Sequence, residues 1–93
     1  MKVSVRFYAY LGDLIQNKND IEIQLEEGSN IRDLLEKIFK SYDIRNKIME
    51  DTHTVKQWVK ILINGRQLRF LSGLQTILKP NDKISIFPPV IGG

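Results

Sequence analysis

In the stretch IRDLLEKIFKS, residues 31–41, the apolar residues Ile31, Leu34, Leu35, Ile38 and Phe39 recur at i, i+3, i+4, i+7 and i+8. That spacing draws one apolar stripe down one side of an α-helix. Asn30 stands where an N-cap belongs, and Asp33 sits in the first turn, where the helix dipole favours negative charge. Lys37 and Lys40 fall towards the other end, where positive charge is favoured. It is the one long helix in the chain, and its stripe must be buried against something.

The flanking segments supply that surface. KVSVRFY, residues 2–8, alternates, with Val3, Val5 and Phe7 on one face and Lys2, Ser4, Arg6 and Tyr8 on the other. DIEIQLE, residues 20–26, alternates again, with Ile21, Ile23 and Leu25 inward. Two such runs on a short connection predict an antiparallel pair. Between them, Leu11, Leu14 and Ile15 have helical spacing, and Asn17, Asn19 and Asp20 mark a turn. Beyond the helix, Ile44, Ile48 and Met49 suggest a helical turn inside the irregular segment 42–57. WVKILIN, residues 58–64, reads as a third strand with Val59, Ile61 and Ile63 inward. Asn64-Gly65 is a tight-turn signal and leads to a short strand around Gln67–Phe70. A 3₁₀ turn fits near Gly73, Pro80-Asn81 is a turn, and DKISIF, residues 82–87, is a last strand with Ile84 and Ile86 inward. The order is β β α β (β) β. With one long helix available, one sheet face is covered and the other meets water or a partner.

Composition narrows the function. The chain has 93 residues, enough for one domain. With 42% hydrophobic and 27% charged residues it falls outside the disordered class. No apolar run reaches the length of a membrane span, and the alternating N-terminus is not a signal-peptide core, so a cytoplasmic location is expected and no membrane partner. The absence of cysteine removes disulfides, thiolate metal sites and a cysteine nucleophile. His53 is the single histidine and reads as a surface loop residue, so no metal site is expected. The net charge is +3, with both signs spread along the chain, which does not suggest a nucleic-acid partner.

The last third, ILINGRQLRFLSGLQTILKPNDKISIFPPVIGG, residues 61–93, resembles the end of the MoaD/ThiS sulfur carriers, above all the small subunit of molybdopterin synthase and its archaeal-type relatives. The ING turn, the LKPNDKISIF approach and the FPPVIGG finish carry the likeness, and VSVRFYAYLGDLI and NIRDLLEKIF fit it too. Residues 42–57 are longer than the shortest carriers need, and Pro80-Asn81 stands where relatives often have Asp-Gly. The resemblance implies an α+β fold of the ubiquitin-like β-grasp type, with a mixed four- to five-stranded sheet and one long helix across one face. Residues 1–87 would form the domain and 88–93 a flexible tail.

It also implies a chemistry. The Gly93 carboxylate would be adenylated by an E1-like adenylyltransferase, sulfur from a donor enzyme would displace AMP, and the thiocarboxylate would serve the molybdopterin synthase large subunit. ATP and Mg would be used by the activating partner, with no cofactor bound here. The tail suits that task. Gly92 and Gly93 carry no side chain and can enter a narrow channel. Pro88 and Pro89 lack N–H donors and hold φ near −65°, which ends strand pairing and favours an extended exit. Pro88, Pro89, Val90, Ile91 and Gly92 are thus the inserting residues. The chain, lacking a P-loop or an acid–base pair, is read as a co-substrate or subunit rather than a complete enzyme.

By alternation Leu62, Phe87 and Trp58 point away from the core, with Leu68 or Phe70 beside them and Lys60, Arg6 and Lys2 as a basic rim. Exposed apolar residues gathered on one face mark an interaction site. The candidate partner-binding residues are Leu62, Phe70, Phe87, Trp58, Lys60 and Arg6; alternatively Trp58 and Phe70 fold under the 42–57 segment. Three other functions share parts of this pattern: a ubiquitin-like modifier joined through Gly93 to lysines, a carrier for thiamine or tRNA thiolation, and a binding module with an idle tail.

Overall fold

A computed structural model describes residues 1–15 and 20–89. Strand β1, Lys2–Phe7, pairs antiparallel with β2, Asp20–Gln24, placing Val3 opposite Ile23 and Val5 opposite Ile21. The turn expected at Asn17 and Asn19 lies outside the described residues; Asp20 already opens β2. Later come β3, Lys60–Ile63, β4, Arg66–Gln67, and β5, Lys83–Phe87. β5 lies parallel to β1 and antiparallel to β3, so Phe7, Ile86 and Ile61 form one inward row and Val5, Ile84 and Ile63 the next. The sheet order is β2-β1-β5-β3-β4. This is the five-stranded, mixed β-grasp sheet.

The long helix, labelled α2 after a single turn α1 at Tyr10–Asp13, spans Ile31–Ser41. Its start is a complete capping box. The Asp33 N–H donates to Asn30 Oδ1 at 2.9 Å, and the Asn30 N–H donates to Asp33 Oδ2 at 3.0 Å. Ile31, Leu34, Leu35 and Ile38 are buried against Val3, Val5, Phe7, Ile84 and Ile86 in one core. Phe39 stays half-buried under the Arg45 guanidinium, which is also fork-bonded to Glu36. Leu11 in α1 and Ile15 beyond its end enter the core; Leu14, expected on the same stripe, is exposed because the helix ends at Asp13, before it.

The expected helical turn in the 42–57 segment is present as α3, Arg45–Ile48, with Ile44, Ile48 and Met49 buried. Two predicted strands are shorter than their sequence pattern. β3 begins at Lys60, because Lys56–Val59 close a turn through Val59 N–H to the Lys56 carbonyl at 3.1 Å. β4 ends at Gln67, and Leu68–Phe70 wind into a 3₁₀ turn that drops Leu68 into the core and leaves Phe70 outside. The 3₁₀ turn expected at Gly73 is there, at Gly73–Gln75. Asn64 and Gly65 both take positive φ, 51° and 85°, as a tight hairpin turn of the I′ kind requires. Asn64 also locks this turn to the start of β5: its Oδ1 accepts from Lys83 N–H and its Nδ2 donates to Asp82 Oδ1, each at 2.9 Å.

Replacing Asn30 by Ala removes one half of the capping box and should cost about 1 kcal/mol. Ile38→Ala, which opens a cavity between helix and sheet, should cost about 2–5 kcal/mol. Thermal unfolding of the two variants checks the ranking; equal melting temperatures would contradict it.

Candidate functional site

The inward rows are covered by α2, and the outward rows are not. Register assigns the outward side chains. Arg6, Ser85, Leu62 and Gln67 form one row across β1, β5, β3 and β4. The next row contains Phe87 opposite Lys60, and Tyr8 joins it because the Tyr8 N–H donates to the Ile86 carbonyl at 3.0 Å. The Tyr8 ring stacks on Phe87, with centroids 4.1 Å apart and 14° between planes. Such a pair contributes roughly 0.5–1.5 kcal/mol beyond its buried area. Tyr8, Phe87 and Leu62 are all half-buried, and together they make a small apolar patch on the open face.

The patch lies where the chain leaves the sheet. Phe87 is the last residue of β5 and Lys60 opposite is the first of β3. Pro88, which follows, is buried and Pro89 is half-buried, so the root of the tail rests on the domain. Neither proline can donate a backbone hydrogen bond, so the ladder stops here. Val90, Ile91, Gly92 and Gly93 lie outside the described residues.

Of the candidate interaction residues, Leu62 and Phe87 share the outward face with Lys60 and Arg6. Trp58 and Phe70 do not belong to its pleat. Trp58 stands in the turn before β3 and Phe70 in the 3₁₀ turn after β4, 67% and 72% exposed. Neither folds under the 42–57 segment. Tyr8 had the right parity in the sequence, but its contact with Phe87 depends on the β1·β5 pairing, which no local pattern announces.

The charges on this face are organised by β2. Arg6 forks onto Asp20 at 2.7 and 2.8 Å, and Lys2 pairs with Glu22 at 3.0 Å. Arg6 and Lys2 are therefore already neutralised within the domain and are not the free rim expected of them. Lys60 and Lys83, also on this face, make no ion pair among the described residues. The hydrogen bond with Asp20 raises the Arg6 pKa, with Tyr8 adding to it, and the hydrogen bond from Arg6 lowers that of Asp20. His53 is exposed on its loop, its backbone N–H donating to Asp51 Oδ1 at 2.8 Å. Among the described residues no group of three His, Asp or Glu side chains is placed to hold a metal ion. No helix of these residues is long and apolar enough to cross a membrane.

The apolar patch and the two prolines that end β5 are thus neighbours, and the chain can be compared with known proteins. Residues 5–93 match the model of the ThiS family. The chain belongs to that family. It is 33% identical over 94 residues to small archaeal modifier protein 3 of Haloferax volcanii, over the full length of both chains. It is 32% identical over 95 residues, again at full length for both, to an Archaeoglobus fulgidus protein named for a sulfur-carrier role. A solved structure from Pyrococcus furiosus, named as subunit 1 of a molybdopterin converting factor, shares the fold with a TM-score of 0.75. The two are 31% identical, and the match covers 97% of this chain and 99% of that one. The family joins sulfur carriers and ubiquitin-like modifiers, and the β-grasp architecture is common to both.

Asp20, Glu36 and Asp51 all sit below the usual carboxylate range, held there by Arg6, by Arg45 and by the His53 N–H respectively. A lowered folded pKa gives stability that is present above the unfolded values of 3.8 and 4.5 and is lost as pH falls through the folded ones. The melting temperature should therefore fall as pH is lowered through 4, and Asp20→Asn should make that fall shallower. An unchanged acid limb in Asp20→Asn would remove the Arg6–Asp20 pair as a cause.

Proposed function

We propose that this chain is a sulfur carrier that acts as the small subunit of molybdopterin synthase. The Gly93 carboxylate oxygen attacks the α-phosphate of ATP on an E1-like partner, releasing pyrophosphate and leaving an acyl-adenylate. Sulfide released by a donor enzyme then forms a C–S bond to the same carbon as the C–O bond to AMP breaks, and loss of the sulfur-bound proton leaves the thiocarboxylate. The resulting thiocarboxylate is presented to the synthase large subunit. ATP and Mg belong to the partner's site in this scheme.

The observation that carries the reading is the Tyr8–Phe87–Leu62 patch at the root of the tail. A partner seated on that patch holds Pro88 and Pro89 at its surface, and the slim remainder can reach inward to the reacting centre. Docking on a rigid sheet fixes where the carboxylate arrives, which removes translational freedom from the slow step. Lys60 and Lys83 suit a partner with an acidic rim. The molybdopterin assignment is supported by the name of the Pyrococcus furiosus relative. The name of the Haloferax volcanii relative supports a second reading, conjugation of Gly93 to lysines. Activation is common to both, and only the final nucleophile differs.

Intact mass measurement of the chain from its own host separates them. A species with one oxygen replaced by sulfur at Gly93 establishes the carrier, and a chain linked through Gly93 to lysines of other proteins establishes the modifier. A free carboxylate that persists after incubation with ATP and host extract would sink both. Deleting Gly93 should abolish either product. Phe87→Ala combined with Leu62→Ala should weaken binding of the adenylating partner tenfold or more, the usual scale when an interface centre is truncated. Lys60→Glu with Lys83→Glu should slow association at low salt; an unchanged on-rate would contradict the acidic rim.

A further inference from the structure

A groove of about 520 Å³ opens at the β4 side of the sheet, between the 53–59 segment and the two 3₁₀ turns. Its apolar lining comes from Val59, Ile61, Leu68 and Leu74. The first three are core residues with 4–8% of their surface showing, whereas the residues between α2 and the central strands show at most 2%. These three lie at the margin of the core, and the half-buried Leu74 extends their apolar surface into the groove. Trp58 stands beside it, 67% exposed.

The charge around the groove has one sign. Lys56, Lys60 and Arg69 line it, and no Asp or Glu does, although the chain has 11 acidic residues. None of the three cations is in an ion pair among the described residues. Arg69 lies over the Phe70 ring, 4.8 Å from its centroid, a contact that leaves its guanidinium edge available. Lys60 belongs both to this groove and to the outward row opposite Phe87, so the groove is continuous with the patch at the tail root.

We propose that this groove docks an extended acidic segment of a partner protein, with one large apolar side chain over Leu68 and Leu74 and carboxylates against Lys56, Lys60 and Arg69. The 53–59 segment would then serve as one wall of a second docking surface. An acidic peptide suits the groove better than a nucleic acid. The ring side chains of the lining, His53 and Trp58, both stand on one segment, and the floor is aliphatic, whereas single strands are held on successive aromatic platforms. Burying an apolar anchor removes apolar surface of the groove from water, and the cations steer and orient what approaches. The inference does not rest on the sulfur-carrier reading.

The test is an amide NMR titration of the full chain with acetyl-Glu-Asp-Phe-Asp-Glu-amide, with the emission of Trp58, the only tryptophan, as a second readout. Saturable shifts at Val59, Leu68, Arg69 and Leu74 are expected. They should weaken about tenfold in Arg69→Glu and less in Arg69→Gln, the order that a charge contact gives. A peptide with lysines for the acids, or alanine for the phenylalanine, should not bind. Equal binding of the lysine peptide, or shifts confined to Tyr8, Leu62 and Phe87, would overturn the proposal. So would binding of single-stranded RNA at these residues in place of the peptide. Shifts at the groove that follow protein concentration without peptide would instead make the occupant a second copy, and would overturn it too.

Discussion

Parallel pairing of β1 with β5 sets Val5 beside Ile84 and Phe7 beside Ile86. With β2 on one side and β3 on the other, these two strands form the middle of the sheet. The pairing joins the two ends of the chain, and it needs everything between them to form the crossover. α2 supplies the body of that crossover and covers the inward face with Ile31, Leu34, Leu35 and Ile38. The cost of closing so long a loop is met by the buried rows, not by the hydrogen bonds alone. The same pairing brings Tyr8 onto Phe87 on the opposite face. Core and site are two sides of one contact.

That arrangement gives the tail a fixed origin. β5 is held on both edges up to Phe87, and the prolines then end the ladder. A strand held on two sides is a firm anchor, so the direction in which the chain departs is set by the domain. On the proposed reading this matters more than any reactive side chain, because the reacting atom would be the terminal carboxylate and the catalytic groups would belong to the partner. Lys60 stands opposite Phe87 at the β3 edge of the patch, Lys83 lies at the far end of β5 opposite Ser4, and β2 neutralises Arg6 and Lys2.

Residues 42–59 build a separate feature. α3 buries Ile44 and Ile48, a bridge joins Met49 to Val55, and the Lys56 N–H returns to the Ile48 carbonyl at 2.9 Å. This closes the segment on itself before β3 begins. The closure turns Trp58 out of the strand and into the lining of the groove at the β4 edge. Four buried side chains, Ile44, Ile48, Met49 and Val59, hold the shape of this segment.

Much of this was legible in the sequence. The stripe in 31–41, the alternation in 2–8, 20–26 and 82–87, and the Asn64-Gly65 turn each encode local structure, because backbone geometry imposes a period on side chains wherever one face is buried. Strand ends were less legible. Trp58 and Phe70 kept the parity of a strand but stand in turns, since the local turn-closing bonds from Val59 N–H to the Lys56 carbonyl and from Leu71 N–H to the Leu68 carbonyl end the ladder where alternation alone would continue it. The sequence by itself determined the inward faces of β1, α2 and β5, where the long helix begins, and that two prolines follow the last strand. Only the tertiary structure decided that Tyr8 stacks on Phe87, that Asp20 takes Arg6 out of the basic rim, and that Trp58 and Leu74 meet across a groove. The physical reason is distance along the chain. These contacts join residues 14 or more positions apart, or elements that meet only once β5 has docked beside β1, and no local period carries that information.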